Sequence, residues 1–232
     1  MNDEHIMRNH LQRSAFILQR FLVRWAFARL YREFAWTYDA VAAAVSGGRW
    51  AEWGRAGLPD LRGRVLELGC GTGNLQRSLQ QSRSHWAAGF DASPQMLRIA
   101  QRKLTRAALP IHLARGIAQT LPFAPASFDS IVATFPTEYI LDPATLAEIR
   151  RVLRPGGRLV VVPAASFGRS GAYQRALGLL YRITLQRSPA AAPEPARRSI
   201  LGQRLADLGF TLEERWAPSG DSQVHLVVAE RV

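Results

Sequence analysis

Cysteine and lysine occur once each in this 232-residue chain, at Cys70 and Lys103, and each scarcity excludes chemistry. A single cysteine can form neither an intrachain disulfide nor a thiolate metal cluster, which favours the cytoplasm. The five histidines, His5, His10, His85, His112 and His225, show no ligand spacing, so no metal site is expected. A phosphate-cradling loop of the form Gly-x-x-x-x-Gly-Lys-Ser/Thr needs a lysine beside its glycines, and the only one stands far along the chain. The dinucleotide pattern Gly-x-Gly-x-x-Gly also fails, since its sixth place falls on Asn74 counting from Gly69 and on Gln76 counting from Gly71. Triphosphate and dinucleotide ligands are thereby disfavoured.

The cationic residues, almost all arginine, outnumber the acidic ones and give a net charge of +12. Such an excess suits nucleic acid or anionic membrane, but arginine bias also follows genome composition or heat adaptation, so charge alone decides little. No Asn/Asp-Pro-Pro-aromatic run, expected of many enzymes acting on amino groups of nucleic acid bases, follows the fourth strand. Phe135-Pro136-Thr137-Glu138-Tyr139 stands there instead, and no separate RNA-binding module is visible. Nucleic acid is an unlikely partner.

What is present is concentrated in Val65-Leu66-Glu67-Leu68-Gly69-Cys70-Gly71-Thr72-Gly73-Asn74, an apolar strand with an acid near its end and then glycines at alternate positions. Such glycines let the backbone turn sharply and leave main-chain N–H groups open to a ligand. A helix beginning near Asn74 adds a positive end suited to a carboxylate. Trp86-Ala87-Ala88-Gly89-Phe90-Asp91 reads as a second buried strand, with Ser93 as helix cap and Pro94 at the first helical position. Asp91 lies about 20 residues beyond the glycine loop, the separation at which a neighbouring strand delivers an acid to ribose hydroxyls.

Strands are expected near Arg64–Leu68, Trp86–Asp91, Ile111–Ala114, Asp129–Phe135 and Arg158–Val162. Helices are expected near Asn74–Gln81, Pro94–Ala107 and Pro143–Leu153, the last closed by Pro155-Gly156-Gly157. Alternation of this kind implies a parallel sheet covered on both faces. A helix around Tyr173–Gln186, a Pro/Ala loop at Ser188–Ala196 and a helix around Ile200–Leu208 should follow, then two strands near Phe210–Trp216 and Gln223–Glu230. With 47% apolar content the chain can bury one substantial core.

These residues resemble the class I S-adenosylmethionine-dependent methyltransferases, in the small-molecule branch related to ubiquinone/menaquinone C-methyltransferases. The matching segments are Val65 to Asn74, Gly89 to Leu97, Leu121 to Phe135 and Glu148 to Val162, in order and at family spacing. The resemblance implies an α/β fold, a Rossmann-like doubly wound seven-stranded mostly parallel sheet with an antiparallel C-terminal hairpin. Residues 61–232 would form the cofactor domain, and residues 1–60 a helical extension and possible substrate cap. It further implies S-adenosyl-L-methionine as cofactor, with Glu67, Gly69, Gly71 and Gly73 around its methionine part, Asp91 at the ribose, Met96 packing beside adenine or ribose, and Cys70 and Ala92 also among the cofactor-binding residues. The family often reads Gly-Asp-Ala before Leu-Pro-Phe, whereas this chain reads Gly116-Ile117-Ala118. Adenine recognition then falls to backbone groups around Ile117 and Ala118, or is looser. Cys70 reads as a small packing residue and Asp129 as a residue that caps or orients its strand.

Methyl transfer from a sulfonium is an in-line displacement, so positioning is the main catalytic device. An acceptor phenol or enol must also lose a proton, and Glu138 or Tyr139, just past the fourth strand, lies where strand ends open into the cleft. Both residues also fit a plain surface loop. Trp25, Trp36, Tyr38, Trp50 and Trp53 could wall an apolar pocket for a lipophilic small-molecule acceptor or merely stabilise the fold. From Leu11 to Phe34 the chain is amphipathic, with Arg13, Arg20 and Arg24 opposite Leu18, Phe21, Leu22 and Trp25. Central arginines argue against a membrane span, and no small-residue cleavage site marks a signal peptide. Docking on its own domain, capping the pocket and lying on an anionic membrane surface all remain open for this helix.

Overall fold

Val65, Leu66 and Leu68 are buried on both faces of the strand Arg64–Leu68 (β1), the pattern of a strand at the centre of a parallel sheet. The computed structural model describes residues 38–82, 86–167 and 199–232. The expected N-terminal amphipathic helix, Trp25, Trp36, the Tyr173–Gln186 helix and the Ser188–Ala196 loop lie outside them.

Two helices, Tyr38–Ser46 (α1) and Trp50–Arg55 (α2), precede β1. Then follow Asn74–Ser82 (α3), Trp86–Asp91 (β2), Pro94–Arg106 (α4), Leu113–Arg115 (β3), Phe128–Thr134 (β4), Pro143–Val152 (α5), Leu153–Phe167 (β5), Ile200–Asp207 (α6), Phe210–Ser219 (β6) and Ser222–Arg231 (β7). The seven strands form one sheet in the order β3-β2-β1-β4-β5-β7-β6. The first five run parallel, while β7 pairs antiparallel with both β5 and β6. Strand order reverses between β1 and β4, and a crevice at that switch point, beyond the carboxyl ends of the strands, is where open α/β sheets bind ligands.

Local chemistry sets the helix starts. Ser93 Oγ accepts the Met96 N–H at 3.3 Å, Asp142 accepts the Ala144 N–H at 2.9 Å and Ser199 Oγ accepts the Gly202 N–H at 3.0 Å, each cap contributing about 1 kcal/mol. Pro94 and Pro143 occupy first-turn positions, where no N–H is needed. Asp129 fixes the entry to β1 by accepting the Arg64 N–H at 2.7 Å while pairing with Arg154 at 2.7 Å.

The largest core cluster fills one face of the sheet, with Phe90, Phe128, Leu146, Ile149, Leu159 and Leu205 among its members. The α2 helix covers part of the other face, where Trp53, 4% exposed, packs with Val162, Ala165, Val224 and Leu226.

Several boundaries differ from the sequence reading: β5 runs on to Phe167 and β6 to Ser219, and two strand starts shift as well. The α5 helix ends at Val152, before Pro155-Gly156-Gly157, because Leu153 is already extended, fully buried and paired with Phe128, with a register shift before Ser130 meets Arg158. The third strand starts at Leu113 rather than Ile111: His112 lends its carbonyl to the Gly89 N–H, but ladder pairing begins with Gly89 and Leu113, and Ile111 is exposed.

Candidate active site

The turn after β1 is held open by its glycines. Gly69, at φ +71°, sits so close to the Tyr139 hydroxyl that an added Cβ would come within 2.7 Å of it. Gly73, at φ +79°, brings the loop against α4, where a Cβ would lie 2.8 Å from that of Ala100. Gly73→Ala therefore combines a disfavoured backbone with a clash against a helix, and it should lower the melting temperature by several degrees in a thermal scan. An unchanged melting temperature would show that α4 can withdraw freely.

Asp91, at the end of β2, faces this turn. Its Oδ2 accepts the Gly71 N–H at 2.8 Å and its Oδ1 accepts the Ser93 N–H at 2.8 Å. Burial raises its pKa, against the opposing pull of the Ser93 and Gly71 N–H groups. Each carboxylate oxygen has lone pairs beyond these bonds, so the group can accept further hydroxyl donors.

Beneath the loop lies Glu67, only 2% exposed. Burial drives its pKa up, with the Asp91 charge adding to the rise and the Gln76 amide opposing it, and the group is pushed up to about 8. The Gln76 amide approaches without closing a hydrogen bond of good geometry, so Glu67 Oε2 and both Gln76 amide atoms lack partners. A buried carboxyl oxygen without a donor is costly and calls for one from a ligand.

A shallow cleft, partly open to solvent, joins these features. Glu67, Gly69, Cys70, Gly71, Thr72 and Asn74 line one side, and Tyr38, Trp50, Thr134 and Phe135 the other. Phe135, at φ +47°, holds a backbone conformation that non-glycine residues rarely adopt, and such conformations cluster at functional sites. Its ring stacks on Trp50 at 4.1 Å, with Tyr38 edge-on to Trp50 at 6.4 Å.

Of the other residues singled out in the sequence, Cys70 is buried in the loop, and burial together with the Glu67 and Asp91 charges raises its pKa well above the usual thiol range. Met96 is buried in α4, while Ala92 is exposed beside Asp91. Ile117, 54% exposed, and Ala118 follow β3 at the edge next to Asp91, whose carbonyl accepts the Gly116 N–H at 3.2 Å. The hydroxyl of Tyr139 donates to the Leu68 carbonyl at 3.1 Å, bracing the end of β1, and Glu138 is exposed in the same short turn. Neither is among the residues that line the cleft.

Sequence reasoning missed the polar cluster over the loop. Lys103 Nζ contacts Asp39 Oδ2 at 2.5 Å, Asn74 Oδ1 at 2.7 Å and Thr72 Oγ1 at 3.1 Å. Asp39 Oδ1 in turn accepts the Thr72 hydroxyl at 2.7 Å and the Asn74 amide at 3.0 Å. Burial works to raise the Asp39 pKa, but bonds from Lys103, Thr72 and Asn74 outweigh it and hold the carboxyl below its ordinary value. The lone lysine was the available signal. Among the described residues no group of His, Cys, Asp and Glu is arranged to hold a metal, and no helix is long and apolar enough to cross a membrane.

A doubly wound sheet with an acid-flanked glycine turn at its switch point has the layout of a nucleoside-cofactor site. Comparison with known proteins narrows this. Residues 65–157 match the family described as "Methyltransferase domain". The chain is 34% identical over 166 residues to the demethylmenaquinone methyltransferase of Thermus thermophilus, covering 68% of this chain and 72% of that protein. It is 31% identical over 212 residues to the demethylmenaquinone methyltransferase of Deinococcus radiodurans, covering 82% and 87%. Among solved structures, an S-adenosylmethionine-dependent methyltransferase from Aquifex aeolicus shares the fold, with a TM-score of 0.55 at 18% identity over 77% of this chain and 89% of that one. The chain belongs to the class I S-adenosylmethionine-dependent methyltransferases, in the small-molecule branch related to ubiquinone/menaquinone C-methyltransferases.

The residues present fit that cofactor. The unpartnered Glu67 oxygen lining the cleft suits an ammonium group, and Asp91 retains acceptor capacity for a diol. When bound, the cofactor supplies an electrophilic methyl group on a sulfonium whose sulfur leaves neutral. On the chain's side, the Trp50–Phe135 stack and the polar groups of Glu67 and Gly71 face one cleft.

Proposed function

We propose that this enzyme methylates a small, planar, lipophilic acceptor of the quinol or phenol class, seated against the aromatic wall of Tyr38, Trp50 and Phe135. The observation that carries this reading is the stack of Trp50 on Phe135, 4.1 Å between ring centroids, in the same cleft as Glu67 and Gly71. A planar apolar ring gains both buried area and stacking from such a wall. The relatives named for demethylmenaquinone support the same acceptor class.

In this reading Glu67, Gly69, Cys70, Gly71 and Gly73 hold the amino-acid part of the cofactor. Asp91 and Ala92 hold the ribose, and Met96, Ile117 and Ala118 flank the adenine. Glu138, exposed just beyond the cleft lining, takes the acceptor's proton through a bridging water, and Tyr139 keeps the end of β1 in place through Leu68. Residues 1–60 act as a cap on the methyltransferase domain of residues 61–232. The enzyme works in the cytoplasm, its N-terminal amphipathic segment touching the membrane surface from which a lipophilic acceptor is drawn.

Labelled-methyl transfer tested against demethylated quinols, small phenols and total RNA separates the acceptor classes. Label in the quinol or phenol pool supports the proposal, and label only in RNA overturns it. Trp50→Ala should raise the acceptor KM about tenfold with cofactor affinity unchanged. Glu138→Gln should lower kcat about 100-fold or more, again with cofactor affinity unchanged, and an unaltered kcat would remove Glu138 from the proton path.

A further inference from the structure

The polar cluster of Lys103, Asp39, Thr72 and Asn74 over the glycine loop has no part in cofactor or acceptor binding as described above. We propose that Lys103 is a positioning residue that clasps the N-terminal helix α1 to the glycine loop, so that the cofactor site has full affinity only while α1 is fastened.

Lys103 is the chain's one lysine, in a sequence whose other Lys/Arg positions are all arginine. It stands where Asp39, Thr72 and Asn74 converge from separate elements. An ammonium carries its donors on a compact tetrahedral centre and can serve acceptors in different directions, whereas a guanidinium presents a planar fork. The position follows from packing: Gly73 lets α4 approach the loop at Ala100, and Lys103 lies three residues further along the same helix, on the same face.

The clasp joins the parts that form the cleft. Thr72 and Asn74 belong to its loop side, and Tyr38, the neighbour of Asp39, belongs to its aromatic side together with Trp50 of α2. The helix bearing Lys103 begins at Pro94, just past Asp91, which holds the same loop by the Gly71 N–H. The loop is thus fixed at Gly71 by Asp91 and at Thr72 and Asn74 by the clasp. An isolated ion pair with this much exposure contributes little, but here the pair shares its partners in a network.

Calorimetry with S-adenosylhomocysteine tests the clasp on the full chain and its Lys103→Met, Asp39→Asn and doubly substituted forms, alongside hydrogen exchange of residues 38–46 without ligand. Each single variant should bind about tenfold more weakly, and the double variant about as weakly as either single, because one clasp is lost in all three. Exchange across α1 should quicken in each. Wild-type affinity in Lys103→Met overturns the proposal even if its melting temperature falls, since that is what a merely structural contact would give. Independent, additive losses overturn it as well. Should Lys103→Met not fold, Asp39→Asn decides alone by the same affinity criterion. The inference rests on the cofactor site described above. Failure of the wild-type chain to bind would overturn that site, whereas binding with an indifferent Lys103→Met overturns only the clasp.

Discussion

Asp91→Ala should weaken S-adenosylhomocysteine binding about 100-fold or more. A hydrogen bond to a charged group is worth about 1.5 to 3 kcal/mol, and a ribose diol would make two of them to this carboxylate. The alanine also strips the Gly71 and Ser93 N–H groups of their acceptors at 2.8 Å, loosening the turn and the start of α4 together. Asp91→Asn should fall between, since an amide keeps one acceptor oxygen and loses the charge. Calorimetry on variants shown to be folded separates affinity from stability. An affinity within about twofold of wild type in Asp91→Ala would remove the ribose role, because two charged bonds cannot vanish at so small a cost.

The second large effect is in pH. Burial, with the Asp91 charge adding to it and Gln76 opposing it, pushes Glu67 to about 8 in the ligand-free fold, against an ordinary carboxyl value of 4.5. Between those values the folded chain holds a proton that the unfolded chain has released, so stability falls as pH rises through that window. The loss is on the order of a few kcal/mol for a shift of this size. Denaturant unfolding of the ligand-free enzyme from pH 5 to 8 should show the decline, and Glu67→Gln should flatten it.

Cofactor affinity should move the opposite way. An ammonium partner favours ionised Glu67, so binding releases a proton below about pH 8 and tightens as pH rises toward that value, then levels off. Glu67→Gln should remove this dependence and weaken binding above pH 8. A flat wild-type profile would mean that Glu67 is already ionised in the free enzyme or meets no cation. The two slopes are one titration read from opposite sides, and both belong to the buried oxygen that has no partner.

The sequence disclosed those parts of the site whose signals are local. The glycine turn, Asp91 at a strand end, the Ser93 cap with Pro94 after it and the closing hairpin are each set by residues close in the chain, and β1, β2 and β7 fall within a residue or so of expectation. Long-range pairings carried no such signal. Asp39 and Lys103 lie 64 residues apart, and no periodicity announces that a helix before β1 will meet a helix after β2. The Trp50–Phe135 stack is of the same kind: Trp50 was visible as an aromatic that might line a pocket, but its partner depends on the positive φ that turns Phe135 at the end of β4. The early start of β5 carries no local signal: Pro155-Gly156-Gly157 is a strong local stop, whereas Leu153 is drawn into pairing with Phe128 by burial against the whole core. Tyr139 shows the same limit, since the sequence placed it near strand ends but did not disclose that its hydroxyl donates to Leu68.

The central claim is that the turn from Gly69 to Gly73, between Glu67 and Asp91, is where S-adenosylmethionine binds. A crystal structure of the complex with S-adenosylhomocysteine tests it most directly. The account predicts the ribose hydroxyls on the Asp91 carboxylate and the amino group within hydrogen-bond distance of Glu67. A nucleoside bound elsewhere, with Glu67 Oε2 still unpartnered beside an empty turn, would contradict it.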